Sequence, residues 1–242
     1  MDAQNNVNNK KYIRYFYRGL FWILGQFLIA MGIVFSVKSD LGVASGSLIP
    51  LALNMSSGLS LGTCMVIFFI GLLILQIVLL RKEFELINLL QVIGSVIFGA
   101  FTDLITGMLS GITAETYPTK LLFIILGVVI QSIGIAIYVD THIMFMSAEG
   151  ATDALHRKVF KKVSFGTARV LFDVSLLVLG VLLSLILLRK IVGVREGTIV
   201  MTFGVGKVMG FIHSKVEKPL KKLFYGTDEP AAECVPESGS AS

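Results

Sequence analysis

Charge is what this sequence has least of. Charged types make up 15% of its 242 residues, against about 25% in a soluble domain, while hydrophobic types make up 55%. With a mean hydropathy of +0.82, too few polar residues remain to cover a globular surface, so a water-soluble fold is excluded and one membrane domain is expected. Cysteine is nearly absent. Cys64 lies in an apolar run and Cys234 in a polar tail, which leaves no material for a disulfide framework or a thiolate metal site. Histidine is as scarce: His142, His156 and His213 are scattered at the borders of apolar runs. No serine stands in a nucleophile elbow, and there is no Walker or dinucleotide loop. The chain is therefore expected to be neither an enzyme nor the holder of a metal or cofactor.

What the chain does have is long apolar runs. A membrane-crossing helix needs about 20 mostly apolar residues, and six stretches qualify: Leu20–Val37, Leu61–Leu80, Leu86–Leu109, Leu121–Val139, Val170–Leu188 and Thr198–Ile212. The last is the weakest, since it contains Lys207 and is rich in glycine; small residues of this kind let helix backbones approach closely in lipid.

The net charge of +5 does not point to nucleic acid, because the basic residues sit in short clusters beside the apolar runs and no aromatic-basic interleaving accompanies them. They order the chain across a bilayer instead. With the N-terminus inside, the inner loops hold Lys10, Lys11, Arg14, Arg18, Arg81, Lys82, Arg157, Lys158, Lys161, Lys162, Arg169, Lys215, Lys218, Lys221 and Lys222. The outer side holds Lys38, Lys120, Arg189, Lys190 and Arg195. That bias places both termini in the cytoplasm of a cell whose bilayer is the chain's first partner. The basic stretch before the first apolar run is not a secretory signal, since the run is long enough to span and no small-residue cleavage site follows it. After Thr227, a tail rich in Ser, Pro and Ala is expected to be disordered.

The chain also repeats itself. Ser60–Leu75 (SLGTCMVIFFIGLLIL) set on Ser164–Leu179 (SFGTARVLFDVSLLVL), a shift of 104 residues without a gap, gives eight identities in sixteen. Upstream the shift becomes 102, with Gly32, Val37, Ser45 and Leu53 falling on Gly134, Val139, Ser147 and Leu155. Each copy holds three spans. Three is odd, so the second copy must cross the membrane in the opposite sense, as in many secondary transporters. The expected fold is an all-α polytopic membrane protein of six transmembrane helices, arranged as two inverted three-helix repeats with short linker helices. Its parts are a cytoplasmic segment at 1–17, repeats at 18–111 and 119–215, and a cytoplasmic tail at 216–242.

The linkers between first and second spans of each copy read as short helices. The first is expected to start at Ser45 or Ser47, either able to cap, with Pro50 in its first turn and a stop near Gly58. The second is expected over about Ala148 to Val163. There Leu155, Val159 and Val163 share one face and the basic residues the other, as in an interfacial helix on an anionic leaflet.

The stretch GATDALHRKVFKKVSFGTARVLFDVSLLVLG, followed by EGTIVMTFGVGKVMGF, resembles the YitT/YczE group of bacterial membrane proteins. The resemblance runs from about residue 18 to 215. It implies a six-span bacterial cell-membrane protein and carries no activity. Ala151 stands where that group has a second glycine, and the first linker has no counterpart of Asp153.

Ionisable and amide groups within apolar spans are the candidates for function. Arg169 and Asp173, four apart on the fifth span, read as a structural ion pair. Asp103 and Lys207, on the third and sixth spans, either pair across the two halves or reach separately to opposite interfaces. Glu149, Thr152 and Asp153 open the second linker helix, where they either cap it or line a solute site if the helix tip enters a cavity. Gln26 and Gln131 either line a central cavity or join helices. The leading expectation is a small secondary transporter of a small solute or ion, with Gln26, Asp103, Gln131, Glu149, Thr152, Asp153 and Lys207 as its binding candidates. The alternative is a non-transporting membrane scaffold or assembly partner for another protein.

Overall fold

The computed structural model describes residues 2–141, 143, 144 and 146–225. Cys234, His142 and the tail expected to be disordered lie outside the described residues. Among these residues the fold is all-helical: α1 Asp2–Ser39, α2 Ser45–Ser57, α3 Leu61–Leu80, α4 Gln91–Met108, α5 Tyr117–Asp140, α6 Ser147–Lys158, α7 Phe165–Leu188 and α8 Glu196–Tyr225. Five stretches are long and apolar enough to cross a membrane: Tyr12–Ser39, Leu61–Glu83, Leu86–Met108, Tyr117–Asp140 and Phe165–Leu188. In such surroundings only a helix satisfies every backbone amide within its own segment. α8 is not one of these five. It holds Lys207 and Lys215 and continues past Ile212 to Tyr225, packing along α5 in the same chain direction. Gly204 sits on Val128, the Ser132 hydroxyl donates to the Val205 carbonyl, and His213 meets Asp140.

The centre of the bundle is an antiparallel seam between α1 and α5. A β-carbon on Gly25 would fall 3.0 Å from the Gly134 carbonyl oxygen and 2.9 Å from the Tyr138 Cβ. One on Gly127 would fall 2.9 Å from the Gly32 carbonyl oxygen and 3.3 Å from the Ser36 nitrogen. Small residues are what let two helix backbones come this close in lipid, where dispersion contacts carry the association. Around the seam, Ile29, Phe69, Phe98, Phe172 and their buried neighbours form one apolar cluster. α3 lies on α4 at Gly62 and Gly99. The two short helices cross over, with α2 packing on α7 and α6 on α3.

Contacts at the two ends order the loops. Asp40 pairs with Lys120 at 3.0 Å, the Gly197 amide donates to the Leu41 carbonyl, and Lys38 donates to the Ile112 carbonyl. At the other end Arg18 donates to the Thr141 carbonyl, Lys158 bonds Glu83, and the rings of Phe21 and Phe224 stack edge to face at 5.3 Å. The early part of α1 and the late part of α8 thus meet at one end of the bundle.

Both short helices depart from expectation in detail. The residue preceding α2 as its N-cap is Ala44, which has no capping side chain. The Ser45 hydroxyl instead donates to Asp173 on α7 at 3.1 Å. Gly58 closes the helix in the left-handed region at φ 72°, where lack of a Cβ makes it the least strained residue. α6 stops at Lys158 rather than Val163, and Val159 is exposed. Its buried side is made of Ser147, Ala151, Thr152 and Ala154. Small side chains set its docking face together with Leu155, which packs half-buried against the core; of the expected stripe, Val159 is exposed and Val163 lies beyond the helix.

Candidate functional site

Trp22 and Gln26 stand four apart on α1 and so share one face of it. Opposite them α4 presents Gln91, Gly94 and Ser95. A β-carbon on Gly94 would meet the indole Cζ2 at 3.3 Å and the Gln26 Nε2 at 3.5 Å, so glycine here sets how near the indole and the amide lie to α4. Tyr138 of α5 donates its hydroxyl hydrogen to the Met144 carbonyl, which steers the chain leaving α5 back into the bundle. Met144, Met146 and Ser147, the approach to α6 and its first residue, close one wall, and Phe69 of α3 closes another. The result is a narrow cavity of about 10 Å³ between four long helices and the tip of α6, with room for only about one water.

Side-chain amides position that tip. Gln76 of α3 donates through Nε2 to Gln91 Oε1 at 3.2 Å and to the Ser147 carbonyl at 3.0 Å. Three other polar atoms of the lining are buried without a hydrogen-bond partner: Trp22 Nε1, Gln26 Oε1 and Ser147 Oγ. They are a donor, an acceptor and a hydroxyl that can act as either. A buried polar group left unpaired costs about 1–3 kcal/mol, so three around one space are a standing demand for something polar to occupy it.

The sequence-derived candidates scatter. Gln26 belongs to the cavity; Gln131 does not, although its Oε1 is also buried and unpaired where α5 crosses Gly32. Asp103 and Lys207 are not brought together. Asp103 accepts from the Ser60 hydroxyl at 2.6 Å and the Gly62 amide at 2.7 Å, holding the start of α3; Lys207 is exposed on α8. Glu149 reaches back to accept from the Met146 amide at 3.3 Å, one half of a capping box. Burial pushes its carboxyl above the ordinary range, opposed by the Arg169 guanidinium and by that amide. Thr152 is buried and its hydroxyl donates to the Ala148 carbonyl one turn back. Asp153 faces outward in a 2.8 Å pair with Arg157. Arg169 and Asp173 form the pair read from their spacing, at 3.3 Å.

Sequence reasoning passed over Trp22, Gln76, Gln91, Ser95, Tyr138 and Ser147. The signal for two of them was available, since Gln76 and Gln91 are amides in or beside apolar runs just as Gln26 and Gln131 are. It also passed over Asp140 at the end of α5, whose Oδ1 meets His213 Nε2 at 2.8 Å while its Oδ2 is buried and unpartnered.

Long apolar helices around a buried polar cavity define an all-helical protein of membrane type. By sequence, residues 16–214 match the family of unknown function DUF6198, and the chain belongs to that family. No curated protein and no solved structure matches it.

Proposed function

We propose that this chain is a small secondary transporter of the bacterial cell membrane, with α8 as a sixth span, two inverted three-helix repeats and both termini in the cytoplasm. The likeness of its Gly-Ala-Thr-Asp and Ser-x-Gly-Thr motifs to the YitT/YczE group favours the same architecture. Support for inversion comes from contacts that recur at the repeat register. Gly25 on Gly134 and Tyr138 becomes, on adding 102 to the α1 positions and subtracting it from the α5 positions, Gly127 on Gly32 and Ser36, and both contacts are present. Leu48 on Gly180 becomes in the same way Gly150 on Gln76, at offsets of 102 and 104, and both are again present. The exchange of α2 onto α7 and α6 onto α3 follows the same rule. Ser60 and Ser164 cap α3 and α7 alike, each accepting from the amide three residues on.

The observation that carries the transport reading is the cavity. A polar pocket with three unpaired atoms, closed by the tip of a short helix from the opposite half, is the arrangement alternating access uses around a fixed site. In proteoliposomes a transporter should give solute-dependent osmotic swelling that Gln26→Leu abolishes. Protein-free rates for every solute tried, with one partner protein captured stoichiometrically by the full chain, would favour a scaffold instead. Topology is checked separately. Single cysteines at 17 and 112 in a cysteine-free background should label from opposite sides, and 17 and 225 from the same side.

A further inference from the structure

We infer that Glu149, Arg169 and Asp173 form a proton-binding site, in which Glu149 takes up the proton and Asp173 keeps the one guanidinium that lies between the two carboxyls. Two carboxylates and one cation leave a charge out of balance, and away from water a proton on one carboxyl is the least costly remedy. The contacts decide which. Asp173 has a partner on each oxygen, the Ser45 hydroxyl on Oδ1 at 3.1 Å and Arg169 on Oδ2 at 3.3 Å. Glu149 has one neutral donor, the Met146 amide at 3.3 Å, and Arg169 acts on it only through space. Burial of Glu149 favours its uncharged form and so points the same way. The remaining groups around α6 leave this balance unchanged. Tyr138 of α5 is committed to the Met144 carbonyl and Gln76 of α3 is uncharged. Further along α6, Asp153 pairs with Arg157, Lys158 pairs with Glu83, and His156 meets the Val163 carbonyl. The site touches the starts of both short helices, since Glu149 closes the first turn of α6 and Asp173 holds Ser45, the first residue of α2. It is open to exchange on the α7 side, where 42% of the Arg169 side chain and 30% of Asp173 are accessible. The first copy has no counterpart: Ser47, Met65 and Phe69 stand where the second has Glu149, Arg169 and Asp173, so all three charges belong to one copy. On the transport reading this proton is the coupled ion, and the site itself stands without that reading.

The test follows the carboxyl infrared bands of the full chain in lipid nanodiscs from about pH 4 to about pH 9, with no solute present. The native chain should show a protonated-carboxyl band that fades as pH rises and that Glu149→Gln removes. Asp173→Asn keeps the shape and releases the guanidinium towards Glu149, so it should move the midpoint of that band down by about one pH unit, or about tenfold in proton affinity. Arg169→Met should move it up by about as much. A carboxyl that merely caps α6 would be blind to both. A midpoint unmoved in either variant or moved the other way, or no band lost in Glu149→Gln, would overturn the site. If Arg169→Met does not fold, Asp173→Asn decides alone: a lowered midpoint upholds the site, and an unmoved or raised one overturns it. Because no solute enters these measurements, a chain that fails in swelling leaves the site standing, and a site that fails leaves transport to be judged by swelling.

Discussion

Leu48 of α2 rests against Gly180 of α7 so closely that a β-carbon at 180 would come within 2.6 Å of the Leu48 Cβ. Nothing flexible can yield there, since both atoms are fixed to helix backbones. Gly180→Ala should therefore lower stability by about 1–3 kcal/mol, the usual cost of overpacking. Gly71→Ala in α3, which meets open space, should lose nothing and gain slightly in helix propensity. Thermal unfolding of both variants in one detergent decides the matter, and equal melting points would count against the contact.

Asp103 fastens the start of α3 from α4. Removing its carboxylate in Asp103→Ala strips the Ser60 hydroxyl and Gly62 amide of their shared acceptor, with an expected loss of about 1.5–3 kcal/mol. Asp103→Asn keeps an acceptor and should lose less. If swelling collapsed in the asparagine variant at an unchanged melting point, Asp103 would be a transport residue and not a fastening.

Arg169 and Asp173 replace the apolar Met65 and Phe69 of the first copy. Asp173→Phe alone takes the carboxylate paired with the Arg169 guanidinium and the acceptor of the Ser45 hydroxyl, at a cost of about 1–3 kcal/mol. Adding Arg169→Met should recover much of that. A double-mutant cycle should show coupling of at least about 1 kcal/mol, and additive effects would mean that the pair is incidental.

Glu149 gives a signed pH dependence. Its carboxyl is raised above the usual 4.5 chiefly by burial, so the folded chain holds that proton more tightly than the unfolded chain does. Its contribution to stability is then full below about pH 4.5 and falls as pH rises towards the raised value, where the buried group must ionise. Melting temperatures followed upward from pH 4 should decline more in the native chain than in Glu149→Gln. Parallel curves would remove Glu149 as the cause.

The apolar runs made the long helices legible, because their length and composition are local properties. α3 begins and ends where its run does, at Leu61 and Leu80. The Arg169–Asp173 pair was legible for the same reason, since spacing on one helix fixes geometry. What escaped depended on neighbours. α6 looks amphipathic through Leu155, Val159 and Val163, but the helix ends at Lys158 and its buried side meets the Gln76 amide of α3 at Gly150, and no pattern within α6 carries that. Ser45 looks like a cap and is claimed by Asp173, 128 residues away. The cavity drew one residue from the sequence, Gln26, because its other members come from separate helices and acquire meaning only when an unpaired indole, amide and hydroxyl face the same space.

The crossing of α1 over α5 joins Gly25 to Gly134 and Gly32 to Gly127, and under the 102-residue register those four positions are two pairs of twins, 25 with 127 and 32 with 134, each member touching one of the other pair. On the inverted-repeat reading proposed above, such a surface is isologous: it is complementary to itself. A single three-span chain able to insert in either direction could have closed on a second copy of itself through this one patch. Gene fusion would then have needed to invent no new interface, only to tie an existing antiparallel dimer together. It also means that drift at one of these glycines is felt twice, by the helix that carries it and by the twin that must still fit.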